Sequence, residues 1–117
     1  MISKKNILSL VPRLVHKLSK KRGNTYRIAA AAYTKRGNLL GVETNGWREL
    51  CTTRRGTGKH AEAALIKKFG NRIDTIYILR IGRAGDILPI HPCECCQNMA
   101  DKTGVKIVPI HEILGLY

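Results

Sequence analysis

Apolar side chains recur every three or four residues near the start of the chain, at Ile7, Leu8, Val11, Leu14, Val15 and Leu18, with lysines between them. That spacing predicts an amphipathic helix over residues 3–21, ended by Gly23 and Asn24. Pro12 requires one of two things: the helix begins just before it with Ser9 near the cap, or a longer helix kinks there. The pattern then changes. Residues 26–33 and 39–44 are apolar runs separated by Thr34-Lys35-Arg36-Gly37-Asn38, which predicts an antiparallel hairpin. Residues 45–58 hold Gly46, Gly56, Gly58 and a pair of arginines, and read as a loop. Residues 59–69 return to helical spacing and stop at Gly70 and Asn71. Residues 73–81 alternate Ile, Tyr and Leu as a central strand should. A loop with Gly85 and Pro89 spans 83–91. Pro92 opens a helix to about Lys102, Gly104 closes it, and 105–110 form a last strand.

The order is helix, hairpin, helix, strand, helix, strand. Reading the last two helices as crossovers between neighbouring strands gives an α/β fold. Its mixed sheet has about four strands, an N-terminal antiparallel hairpin plus a parallel half. No repeat, low-complexity tract or linker divides the chain. At 117 residues it is expected to form one domain, 1–117, with an N-terminal helical segment 1–22 and a core over 26–110.

Composition adds class and compartment. A hydrophobic content of 44% supports a packed core. No apolar run approaches the roughly 20 residues of a membrane helix. Lys4 and Lys5 precede an apolar stretch that Pro12 and Arg13 interrupt, so a cleaved signal peptide is not expected, and the expected location is cytoplasmic. Charge changes the picture more. The net charge is +13, and the first 36 residues hold ten Lys or Arg and no acid before Glu43. Such a field either solubilises the protein or attracts phosphate polyanions by releasing counterions. Its asymmetry implies one basic face and favours nucleic acid.

Cys93, Cys95 and Cys96 crowd together, which suits a metal or redox site better than a framework of bridges. Cys51 stands apart and reads as a small buried hydrophobe. Two short segments carry the chemistry: His60-Ala61-Glu62 and Pro92-Cys93-Glu94-Cys95-Cys96. Each opens a predicted crossover helix, at the strand ends where α/β folds place their sites. Cys93 and Cys96 share one helix face, and a helix N-terminus favours the thiolates that zinc binds. Cys95 lies about 200° round the helix from Cys93 and should point elsewhere. With His60 this makes three protein ligands for one Zn2+, one fewer than a structural zinc takes, which leaves a position for water. Glu62 can then sit beside that position and shuttle a proton from water to a leaving amine. A Cys-x-x-Cys alone would equally serve as a redox pair or half of a structural site. The combination is what points to catalysis.

The H-x-E and P-C-x-x-C pair resembles the signature of the zinc-dependent cytidine and deoxycytidylate deaminase superfamily. The likeness runs from Tyr26 to about Ile110. It implies the cytidine deaminase fold, a three-layer α/β/α sandwich, with zinc on His60, Cys93 and Cys96, and Glu62 as proton shuttle. It also implies substrate contacts from Asn45, at the end of the second strand, and from the Ala61 backbone amide. Members usually carry a further strand after the one at 105–110, and only 111–117 follow here, so the sheet is expected to be truncated at the C-terminus. His91, before Pro92, stands where several branches carry a small hydroxyl residue or an acid; it either contacts substrate or fills the loop.

Arg54, Arg55 and Lys59 precede His60 and should rim the pocket, gripping a nucleotide phosphate or a strand backbone. Trp47 and Tyr26 are the stacking candidates among only six aromatic residues. The ten N-terminal cations exceed what one nucleotide needs. The leading expectation is therefore cytosine deamination in single-stranded DNA or RNA. Free cytidine or deoxycytidylate, with the chain as a homo-oligomer, is the alternative, and adenine in RNA a third. A zinc-stabilised nucleic-acid-binding module without turnover is the alternative of another class, and the intact Glu62 argues against it.

Overall fold

A computed structural model describes residues 3–19, 27–45, 60–82 and 84–116. Helix α1 spans Lys4–Ser19. Its start is fixed by Ser3, whose hydroxyl accepts the Asn6 N–H at 3.2 Å, as an N-cap should. Ser9 is therefore not the cap, and Pro12 lies inside a longer helix. Ile7, Leu10, Leu14 and Leu18 are buried, while Leu8 is 53% exposed. The reason is angular: Leu8 lies about 100° round the helix from Ile7, whereas residues three, seven and eleven positions on return to the same side. Leu10, not Leu8, completes the stripe. The predicted stop at Gly23 and Asn24 lies outside the described residues.

Strands β1 (Arg27–Tyr33) and β2 (Leu39–Thr44) form the expected antiparallel hairpin, with Ala31 opposite Val42. Helix α2 (Ala61–Phe69) leads through a short turn at Gly70–Arg72 into β3 (Thr75–Ile81). β3 pairs antiparallel with β1, Ala30 facing Ile78. The first crossover therefore does not join neighbours: α2 passes from β2 to β3 over the intervening β1. Strand β4 (Ile87–Leu88) folds back onto the end of β3, with Ile81 opposite Ile87. Helix α3 (Glu94–Thr103) returns the chain to β5 (Lys106–Pro109), parallel to the first half of β3, and α4 (Ile110–Ile113) follows. The second crossover does join neighbours.

The result is a mixed five-stranded sheet between two helical layers. Alternation along β1 and β3 decides which residue faces which layer. Ala29, Ala31, Tyr77 and Leu79 pack against α1 with Leu14 and Leu18. Ala30, Ala32, Ile76 and Ile78 pack against α2 and α3 with Leu65 and Ala100. The four consecutive alanines of β1 let both layers approach the sheet closely. Among the described residues no helix is long and apolar enough to cross a membrane.

Close approach is tightest at Gly41, where a Cβ would stand 2.9 Å from the Phe69 ring. Gly41→Ala is expected to cost about 1–3 kcal/mol by overpacking the β2–α2 contact. A denaturant midpoint equal to that of the parent would show that the ring yields freely.

Candidate metal centre and its neighbours

Residues 60 and 93 meet because α2 and α3 begin at the same end of the sheet. α3 starts beyond the end of β3 and runs back to deliver β5 beside Thr75. α2 runs the same way, ending at Phe69 just before β3 begins. Both helix N-termini thus converge where β3 ends.

His60 occupies the N-cap position of α2 with extended backbone (φ −92°, ψ 128°), and its side chain makes no capping bond. A residue of the usual capping type would stabilise this helix by about 1 kcal/mol. The imidazole is turned instead toward the sulfurs, with Nδ1 3.2 Å from Cys93 Sγ and 3.3 Å from Cys96 Sγ. Broken local rules of this kind concentrate where function outweighs stability. Cys93 is the N-cap of α3, and its sulfur accepts the Cys96 N–H at 3.4 Å. The Cys96 sulfur in turn accepts the Ala63 backbone N–H from the first turn of α2. Each sulfur therefore receives an amide from a helix N-terminus, where negative charge is stabilised.

His60, Cys93 and Cys96 could hold a metal ion: their donor atoms lie within 4.8 Å of one another. Two ligands at about 2.1 Å (nitrogen) and 2.3 Å (sulfur) from one tetrahedral zinc would stand about 3.6 Å apart. The observed separations of 3.2 and 3.3 Å differ from that by a few tenths of an ångström. A soft, borderline donor set of two sulfurs and one imidazole suits zinc. Burial pushes the Cys96 thiol up, and the Glu62 carboxylate pushes it the same way. A divalent cation among these donors reverses that balance, because a coordinating thiol loses its proton.

Glu62 is a buried carboxyl, 6% exposed, one residue into α2. Burial raises its pKa; its own backbone N–H, His60 and a hydrogen bond with Cys96 pull the other way. It thus stands against the cluster without belonging to it. Cys95 is outside the cluster as its helix angle required, while Cys93 and Cys96 are free thiols.

Solved structures with this architecture include cytidine deaminases. That of Burkholderia pseudomallei superposes with a TM-score of 0.56 at 16% identity, over 88% of this chain and 78% of that one. Those of Mycobacterium leprae and Mycobacterium tuberculosis give 0.51 and 0.52 at 20% and 17% identity, covering 92% and 89% of their own lengths. This is the cytidine deaminase fold. No family model and no curated protein sequence matches the chain.

Within the cytidine deaminase fold the other expected site residues fall differently. Ala61 opens α2 and is fully buried, and its N–H belongs to the turn whose amides lack intrahelical partners. Asn45 follows β2, and its side-chain oxygen accepts the Ile28 N–H at 3.0 Å while its own N–H donates to the Ile28 carbonyl. That pair closes the β1–β2 ladder, a structural task the sequence reading did not foresee. His91 lies 3.9 Å from Glu112 and stands edge-on to His111. Tyr26, Trp47, Cys51, Arg54, Arg55 and Lys59 lie outside the described residues. Sequence reasoning missed His111 and Glu112, which α4 brings back to His91 across twenty positions with no local motif to announce it.

The cations near the chain start also have a place. Lys4, Lys5, Arg13 and Lys17 are exposed on α1, and Lys35 and Arg36 are exposed in the hairpin turn. Tyr33, just before that turn, pairs with Thr75 at the start of β3. The turn is therefore at the end of the sheet opposite the metal centre. It does not rim the site.

Proposed function

We propose that this protein is a zinc-dependent hydrolytic deaminase that converts cytosine to uracil, acting on single-stranded DNA or RNA. The observation that carries the chemistry is the convergence of His60, Cys93 and Cys96 with Glu62 buried beside them. Zinc held by those three side chains supplies a Lewis acid that makes water a nucleophile near neutral pH.

The chain's own residues do the rest. Water adds its oxygen to C4 of the base, the bond to the exocyclic nitrogen breaks, and ammonia leaves. The water gives up two protons: Glu62 carries one to N3 of the base as the oxygen adds, and the second from the new hydroxyl to the departing nitrogen. Its buried surroundings favour the neutral carboxyl between those two events, so the proton is held rather than lost to solvent. The Ala61 N–H, at the same helix start, bonds the base carbonyl in this reading.

The substrate assignment rests on charge. Ten cations without one acid in the first 36 residues exceed the need of a single nucleotide. Those on α1 and the hairpin turn stand away from the metal centre, where only a longer polyanion could reach both. A strand would expose an unpaired base without the cost of flipping it from a duplex. The second reading is deamination of free cytidine, favoured by the solved structures of the same fold, which are named as cytidine deaminases.

Offering cytidine, deoxycytidylate, single-stranded DNA and single-stranded RNA in parallel separates the readings, with uracil formation as the measure. Uracil from either strand supports the proposal, and turnover of the free forms alone overturns the choice of substrate. Replacing Lys35 and Arg36 together with alanine should lower the salt dependence of strand binding by about 1.4 in log–log slope, at about 0.7 per lost contact. An unchanged slope would remove the hairpin turn from the contact surface.

A further inference from the structure

We propose that His91, His111 and Glu112 form a second metal site, distinct from the cysteine-containing one, that takes a late first-row divalent cation such as Co2+, Ni2+ or Zn2+. The three residues come from two segments. His91 lies between β4 and α3, and His111 and Glu112 sit on α4. Their donor atoms lie within 4.8 Å of one another. The His91 Nδ1 is 3.9 Å from a Glu112 oxygen, and the two imidazole rings stand 5.7 Å apart at 82°.

The donor set selects the class of cation. Two imidazoles and one carboxylate suit the borderline cations late in the first transition row, not the all-oxygen shells of calcium or magnesium. Access is graded across the site. His91 and Glu112 side chains are 71% and 52% exposed, so a cation enters from solvent and keeps water on its open positions. His111 is 4% exposed, which fixes one ligand in the core wall.

One bond opposes binding. The Ile90 N–H donates to His111 Nδ1 at 3.4 Å, so the neutral ring carries its proton on Nε2. A cation on Nδ1 must displace that long contact, and one on Nε2 must reverse the tautomer. The second site is therefore weaker and more readily exchanged than the site with two thiolates. Its occupation would tie α4 to the segment that leads through Pro92 into Cys93.

Cobalt titration of the untagged, metal-free protein under reducing conditions tests this. Two equivalents are expected. The first brings thiolate-to-metal charge-transfer absorption; the second adds only weak ligand-field bands, because no sulfur contributes. Glu112→Gln and His91→Ala should each weaken the second event by more than about tenfold, the scale on which even outer-shell partners act, while the charge-transfer band of the first stays. A single equivalent in the parent protein overturns the proposal. So does a second equivalent that survives in both variants. Loss of the charge-transfer band in the parent would instead count against the cysteine site, so the two failures are distinguishable.

Discussion

Glu62→Ala is expected to keep its metal and lose turnover by at least about 10²–10⁴, the contribution of a positioned acid–base group. The ligands do not include Glu62, so metal content measured per chain should stay where the parent has it. The carboxyl is buried, and burial raises its pKa. Folding therefore gains nothing from this group's charge and works against it. Glu62→Gln, which keeps the shape and removes the proton shuttle, should match the parent in thermal midpoint or exceed it. Higher stability with lost activity is the expected signature of a residue retained for chemistry. Turnover within tenfold of the parent in both variants would exclude the shuttle. Loss of metal in both would mean that Glu62 holds the cluster together rather than acting beside it.

The centre was legible because its chemistry is written locally. Cys93 and Cys96 share a helix face by spacing alone, Cys95 is excluded by the same arithmetic, and glycines mark where α2 and α3 end. Gly104 closes α3 in the left-handed region at φ 78°, as its position predicted. Bringing His60 to the cysteines needed only the rule that crossover helices start at one end of the sheet. What escaped was non-local. β4 is two residues long and is followed by Pro89, so it shows neither the length nor the alternation of a strand; it exists because the edge of β3 beyond β5 is open for pairing. The order of strands escaped too, since nothing in 60–82 says that α2 passes over β1 before β3 joins the sheet. In α1 the error was in phase. Leu8 continues the apolar series in the sequence, but only the packing of Leu10 and Leu14 against Tyr77 fixes which side of the helix faces inward.

Charge was legible as a quantity and not as a location. The sequence places ten cations in the first 36 residues. Only the pairing of Tyr33 with Thr75 puts Lys35 and Arg36 at the far end of the sheet from Cys93. Under the proposed function, that separation favours a polyanion over a single phosphate.

Removing one sulfur should separate the role of the metal from the role of the fold. Cys96→Ser is expected to bring metal content from about one per chain to near zero at the cysteine site and to abolish turnover with it. Cys96 is fully buried, lies 3.3 Å from His60 and accepts an amide from α2, and a serine hydroxyl there is a far poorer zinc ligand than the thiolate it replaces. The chain should nevertheless fold. Neither apolar cluster contains a metal ligand; one is built on Leu14, Leu18 and Tyr77, the other on Leu65, Ile76 and Ile78. In that respect the domain differs from small zinc modules whose folding energy is the metal itself. Metal should still stabilise the parent by mass action, by about 4 kcal/mol when free metal is 1,000-fold above Kd. At roughly 4 °C per kcal/mol for a domain of this size, the expected difference between metal-loaded and stripped parent is about 15 °C. In Cys96→Ser the same addition of zinc should shift the midpoint by only a small part of that, the part any second site supplies. A stripped parent without a cooperative melting transition would make the metal structural. A loaded parent melting where the stripped one does would mean that His60, Cys93 and Cys96 bind no metal.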